Sequence, residues 1–167
     1  MSNRRGGPLR WLDEALARVL RVLLALAIAV LVVPVSLQIF SRYTALIPAY
    51  IWTEEMARFL FVWAIMIGAT LAVRERAHFV VDLWPPLPPR TAALLDLASD
   101  IAVAAVAVVF LVAGWWFTES AFHRISELAE LPLWLIHIAW PLAGLAWLLF
   151  LAERVNESLR VLRGGGR

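Results

Sequence analysis

The sequence predicts an all-α integral membrane protein with four transmembrane helices. Of the 167 residues, 62% are hydrophobic and 17% are charged, whereas soluble domains average about 45–50% apolar and about 25% charged residues. One small core cannot bury so much apolar surface, and a lipid bilayer is the natural solvent for the remainder. Four predominantly apolar segments approach the roughly 20 residues that cross a bilayer; they lie approximately at residues 20–41, 54–74, 98–118 and 131–152. We expect a single four-helix membrane domain covering residues 1–167.

Composition excludes several kinds of site and partner. The chain has no cysteine, so disulfides, thiolate metal sites and thiol redox chemistry are ruled out. Its net charge of +2 is too small to suggest a nucleic-acid partner. No pattern resembles a nucleophile–base pair, a phosphate-binding loop or a metal cluster. We therefore predict no catalytic residue, no cofactor and no metal, and a protein that is not an enzyme.

Arginine distribution predicts the topology. All 15 basic residues are arginine, and 12 of them lie in the N-terminal tail, the C-terminal tail and the connection between the second and third spans. The other two connections hold only Arg42, Arg58 and Arg124. Because positive residues are retained on the cytoplasmic side of a membrane, both termini are predicted to be cytoplasmic.

An amphipathic helix is predicted before the first span. Charged residues at four-residue spacing occupy one side of this segment, and apolar residues occupy the other. We expect this helix to lie on the inner leaflet and to continue into the first span. The apolar side consists of Leu9, Leu12, Leu16, Val19 and Leu23, and the charged side of Arg10, Glu14 and Arg18.

The second span begins with charged residues. The uncharged run between Arg58 and Arg74 has only 15 residues, which is short for a membrane crossing. If Thr53 caps the helix, Glu54 and Glu55 fall in the first turn, where the helix dipole favours negative charge. Residues 54–74 then give 21 residues, or about 31 Å at 1.5 Å per residue. The short run becomes a full span.

Arg58 lies four residues after Glu54 and three after Glu55, so its charge can neutralise either carboxylate. One negative charge is then left over. Arg42, at the outer end of the first span, is one candidate counter-ion, and a partner subunit is the other. On this pairing, replacing Arg58 is expected to be more damaging than replacing either glutamate.

Two further patterns in the spans point to helix contacts. Ala64, Gly68 and Ala72 recur at four-residue spacing, which lets another helix approach closely, either within the chain or from a partner. Asp96 and Asp100 share one face of the third helix and have no positive residue three or four positions away. Because like charges at this spacing repel, we expect both to face water, another subunit, or the arginines Arg74 and Arg76.

The block WTEEMARFLFVWAIMIGATLAVRERAHFVVDLW (52–84) is similar to a known family, the small membrane subunit of tripartite ATP-independent periplasmic (TRAP) transporters. In that family a paired-glutamate and arginine motif opens the second span. A tryptophan, a Gly-Ala pair and a basic turn with histidine and aspartate follow in this order. The matching residues here are Glu54, Glu55, Arg58, Trp63, Gly68, Ala69, Arg74, His78 and Asp82.

The resemblance implies a function within a complex in the bacterial inner membrane. A soluble periplasmic binding protein would capture an organic acid, of the dicarboxylate or sugar-acid type. A large membrane subunit would carry it inward, driven by a sodium gradient. The small subunit resembles a non-catalytic scaffold that packs on the large subunit and helps to dock the binding protein.

Two other functions remain open on the residues alone. A cytochrome b-type membrane anchor of a redox complex would need a haem ligand, and His137 is the histidine inside a predicted span. A second ligand is missing, since His78 and His123 are predicted on opposite faces of the membrane. We expect His137 to form an interhelical hydrogen bond, near a kink at Pro141. A small membrane enzyme is the other alternative, which turnover by the purified protein would reveal.

Overall fold

The computed structural model describes residues 8–44, 48, 50–75 and 88–162. Within these residues every regular element is a helix. Four segments are long and apolar enough to cross a membrane, at Glu14–Tyr43, Trp52–Glu75, Leu94–Ser120 and Trp134–Ala152. The predicted all-α class with four membrane-length helices is thus confirmed. The helices are α1 (Pro8–Tyr43), α2 (Trp52–Glu75), α3 (Pro89–Ser120), α4 (Trp134–His137) and α5 (Ala139–Leu162).

The predicted amphipathic segment and the first span form one continuous helix. Helix α1 starts at Pro8, a residue suited to the first helical position because the N–H that proline lacks would be unpaired there. The side chains of Leu16, Val19 and Leu23 are exposed. The position of this segment on the inner leaflet remains a prediction, as do the cytoplasmic termini.

The chain divides into two compact units, of which the first contains Met1–Leu71 and Ile125–Leu131. In this unit, α1 contacts α2 through a small apolar cluster. Ala17 of α1 is buried together with Ile67 and Leu71 of α2. Van der Waals packing of these side chains fixes where the two helices meet. Leu20, Leu24 and Trp63 pack against this cluster.

The second unit contains Ala72–Arg124 and Pro132–Arg167, and in it α3 packs along α5. The backbones come close at Gly144 of α5. A Cβ atom there would lie 2.6 Å from the carbonyl oxygen of Ala107 and 2.8 Å from the backbone nitrogen of Leu111. Only a residue without a side chain fits at that distance, as is common where membrane helices pack tightly.

The fourth span is interrupted at Ile138, between α4 and α5. Pro141 follows three residues later and has no N–H to donate to the carbonyl of His137. The Leu142 N–H instead donates to the Ile138 carbonyl oxygen at 3.2 Å. The interruption agrees with the kink predicted from His137 and Pro141.

Candidate functional site

The first turn of α2 differs in detail from the predicted cap. The helix begins at Trp52, so Thr53 lies inside it. The buried Thr53 hydroxyl donates to the Tyr50 carbonyl oxygen at 2.6 Å, where the prediction had it accepting from a backbone N–H. A threonine hydroxyl within a helical turn readily reaches back to the carbonyl of the preceding turn.

Glu54 pairs with Arg58 as the spacing predicted. The distance from Glu54 Oε1 to Arg58 Nη2 is 3.6 Å, and the two side chains are 71% and 64% exposed. Such an exposed pair contributes little to stability, about 0–1 kcal/mol. Because a helix has 3.6 residues per turn, Glu55 points to a different side of α2.

Glu55 contacts the loop Ile125–Leu131, which we call the 125–131 loop. Its Oε2 atom accepts hydrogen bonds from the Leu128 N–H at 3.1 Å and from the Ala129 N–H at 2.7 Å. The Ser126 hydroxyl donates to the same oxygen. Two successive backbone N–H groups that converge on one anion form the kind of concave site that binds carboxylates and phosphates. Here the chain's own carboxylate occupies it.

This contact corrects the expected sharing of charge at the start of α2. The second carboxylate is held neither by Arg58 nor by Arg42; Arg42 is exposed at the end of α1. Hydrogen-bond donors of the 125–131 loop hold it instead. Hydrogen bonds to an ionised group contribute about 1.5–3 kcal/mol each, more than an exposed ion pair. The expected order of the three substitutions therefore changes. Replacing Glu55 should now destabilise the protein more than replacing Glu54 or Arg58.

The same loop borders an open depression of about 400 Å³. Helix α2 forms one side of it and the loop forms the other. Glu130 of this loop has a φ of 52°, in the left-handed region, which costs a non-glycine residue about 1–2 kcal/mol. The lining is mostly apolar and consists of Trp52, Met56, Leu128, Ala129, Glu130 and Leu131.

Gly68, in the small-residue stripe of α2, lies near α1. A Cβ atom built on Gly68 would lie 4.0 Å from Leu24 Cδ2, an ordinary van der Waals distance. Trp63 packs against the cluster of Ala17, Ile67 and Leu71. Ala64 and Ala72 are half-buried, and their contact with a partner helix remains a prediction.

Asp100 of α3 forms an ion pair with an arginine of another helix. Its side chain is fully buried, and its Oδ1 atom lies 2.6 Å from Arg154 Nη2, on a side chain that is 18% exposed. Arg154 also donates from Nη1 to the Val73 carbonyl oxygen at 2.9 Å. Asp100 thus pairs with an arginine of α5, a partner that the sequence analysis did not name. The prediction compared residues along one helix, and this partner lies 54 positions further along the chain.

For the remaining predicted contact residues, the structure gives burial or no description. Asp96 is half-buried on α3, and Arg74 is half-buried in the last turn of α2. His78 and Asp82, which match the basic turn of the family motif, lie outside the described residues. Their roles in partner contact remain predictions.

Sequence reasoning missed the residues that complete both polar contacts. Ser126, Leu128 and Ala129 bind Glu55 largely through backbone N–H groups, which every residue type except proline carries. Arg154 is one of the C-terminal arginines that the sequence analysis used only to predict topology. A buried aspartate in an apolar helix does require a partner, so a search for arginines at the same predicted depth in other spans could have found Arg154.

His137 packs against an aromatic ring. The His137 and Phe117 ring centroids are 4.0 Å apart. Within the described part of the chain, no group of three or more His, Cys, Asp or Glu side chains could hold a metal ion.

Comparison with known proteins identifies the family. The family described as "Tripartite ATP-independent periplasmic transporters, DctQ component" matches residues 31–161, most of the chain. The protein belongs to this family. It is accordingly a small component of a TRAP transporter and a multi-pass protein of the bacterial inner membrane.

Relatives of this DctQ-family chain include three transporter proteins. The sialic acid TRAP transporter small permease protein SiaQ of Vibrio cholerae is 23% identical over 93% of this chain and 90% of its own length. The C4-dicarboxylate TRAP transporter small permease protein DctQ of Vibrio cholerae is 28% identical over 66% of this chain and 44% of its own length. The isethionate TRAP transporter permease protein DctMQ of Oleidesulfovibrio alaskensis is 26% identical over 83% of this chain but only 23% of its own length. All three are transporter proteins, so the cytochrome-type alternative gains no support.

Proposed function

We propose that this protein is the non-catalytic small membrane subunit of a sodium-driven, binding-protein-dependent uptake transporter for organic acids. In this role it packs on a large membrane subunit that carries the substrate. A periplasmic binding protein delivers the substrate to the pair. Both termini of the small subunit lie in the cytoplasm, and its four spans form one membrane domain.

The observation that carries this proposal is the extent of the family match, which covers residues 31–161. The relation to DctMQ supports assembly with a larger subunit, because this chain corresponds to only 23% of that permease. A segment like this chain is therefore covalently part of a larger transport protein in that relative. Separate chains that replace one fused chain are expected to associate.

The names of the relatives support an organic-acid substrate. Sialic acid is a sugar acid, C4-dicarboxylates carry two carboxylates, and isethionate is a sulfonate. All three are organic anions. We propose the dicarboxylate or sugar-acid class for this transporter, since two of the three relatives fall in it.

Component omission tests the proposal. The small subunit, the large subunit and the binding protein are reconstituted in vesicles, and uptake of a labelled dicarboxylate or sugar acid is measured under an inward sodium gradient. We expect uptake that disappears when any one component, or the sodium gradient, is left out. Full uptake without the small subunit, or a potassium gradient that works equally well, would contradict it.

A further inference from the structure

We propose that Glu55 is a positioning residue: its carboxylate holds the 125–131 loop in the conformation with which this subunit binds the extracytoplasmic binding protein. The inference rests on the proposed function and adds a residue and a surface to it. It concerns the face of the membrane opposite the arginine-rich tails, where the start of α2 and this loop are predicted to lie.

The loop depends on Glu55 for its shape. Three donors, the Ser126 hydroxyl and the N–H groups of Leu128 and Ala129, converge on one carboxylate oxygen. The loop closes on itself through the Ser126 N–H, which donates to the Leu131 carbonyl oxygen at 2.8 Å. Between these two residues, Glu127, Leu128 and Glu130 are exposed and contribute little burial. Segments with few buried contacts open easily unless specific hydrogen bonds hold them.

The shape held by Glu55 creates the depression beside it. Trp52 and Met56 of α2 form one side, and Leu128 and Leu131 of the loop form the other. A loop that moved away from α2 would abolish this concavity. Recessed apolar sites that accept a side chain from the partner are the usual centres of protein–protein interfaces.

Charge around the depression indicates the chemistry of the partner surface. Glu130 lines it, and Glu127 is exposed on the same loop. Glu55 itself is already satisfied by the loop. We infer that the binding protein presents an apolar side chain flanked by a basic residue, because opposite charges at the rim favour correct docking.

Glu54 provides a matched control for Glu55. The two residues are adjacent, carry the same charge and begin the same helix. Glu54 is exposed and pairs with Arg58, and it makes none of the three loop contacts. An effect of negative charge alone would appear in both alanine variants, whereas an effect of loop positioning would appear only in Glu55→Ala.

Amide hydrogen exchange tests the positioning itself, in the intact complex of small and large subunits. Peptides covering residues 126–131 should exchange at least about tenfold faster in Glu55→Ala, since a tenfold change corresponds to about 1.4 kcal/mol of lost protection. They should be unchanged in Glu54→Ala. Glu55→Gln should be intermediate, because one acceptor oxygen remains. Should Glu55→Ala fail to assemble, Ser126→Ala, which removes one donor, takes its place and should show a smaller increase.

Uptake titrated with the binding protein tests the function of the loop. In Glu55→Ala the binding-protein concentration for half-maximal uptake should rise about fivefold or more, with the rate at saturation unchanged. Glu55→Gln should restore part of the affinity. A merely structural defect would instead lower the maximal rate through loss of assembled transporter.

Several results would overturn the inference. One is equal exchange of the loop in Glu55→Ala and Glu54→Ala. Another is faster exchange with an unchanged half-maximal concentration, and a third is a loss confined to the maximal rate. If wild-type uptake did not require the binding protein, the proposed function would fail and the role of the surface with it; the exchange comparison would still decide whether Glu55 positions the loop.

Discussion

Glu54 and Glu55 carry the same side chain at adjacent positions, and their surroundings differ. Glu54 is exposed beside Arg58, while Glu55 accepts three hydrogen bonds from the 125–131 loop. The arginine pairing could be predicted because it lies within one helix turn. The loop contact could not, because it joins residues about 70 positions apart and uses backbone groups that no residue type marks.

The first prediction compares Arg58 with Glu55. Arg58→Ala should lower the free energy of unfolding by no more than about 1 kcal/mol, because it removes an exposed ion pair. Glu55→Ala should lower it by about 2–4 kcal/mol, because three donors lose a charged acceptor. Thermal unfolding of the purified variants in detergent measures both. Equal losses would show that the loop hydrogen bonds contribute nothing beyond the ion pair.

Asp100 and Arg154 supply the second prediction. Asp100→Ala should cost about 3–5 kcal/mol, because the largely buried Arg154 loses the carboxylate oxygen that lies 2.6 Å from its Nη2 atom. The double variant Asp100→Asn with Arg154→Met should lose less than the sum of its single changes. Glu119→Gln, on an exposed residue of the same helix, is the control and should change stability by about 0.5 kcal/mol or less. Additive losses in the double variant would contradict the pairing.

At the scale of helices, the sequence predicted how many membrane-length helices the chain forms. It predicted less well which residues bring these helices into contact. Long apolar segments are unambiguous because only a helix or a closed barrel satisfies its backbone in lipid. The spacing of small residues along the sequence does not show which glycine lies closest to another helix. The regular stripe around Gly68 suggested close packing, yet tight approaches occur at Gly114 and at Gly144, where the shortest distances are to the backbone of α3.

The third prediction uses Gly68 and Gly144. Gly144→Ala should destabilise the protein by about 1–3 kcal/mol, because the new Cβ meets backbone atoms that cannot move independently of α3. Gly68→Ala should be neutral or slightly stabilising, because its Cβ has room beside Leu24 and alanine favours helix. Thermal unfolding again gives the comparison. A larger loss for Gly68→Ala would place the tight contact on α2 instead.

At the scale of the whole molecule, the membrane topology follows most directly from the distribution of arginine residues. The arginine bias predicts cytoplasmic termini, and the lack of native cysteine allows single cysteines to be labelled without background. Glu127→Cys should react with a membrane-impermeant maleimide added to spheroplasts. Gly165→Cys should react only after the membrane is permeabilised. Labelling of both sites from the outside would refute the predicted orientation.

The measurement that tests the central claim most directly is co-purification. The small subunit carries an affinity tag and is extracted in mild detergent from cells that also express its large subunit. We predict a complex with one copy of each, since a single permease chain contains both parts in the relative DctMQ. A small subunit that purifies alone, stable and with none of the large subunit bound, would contradict the account.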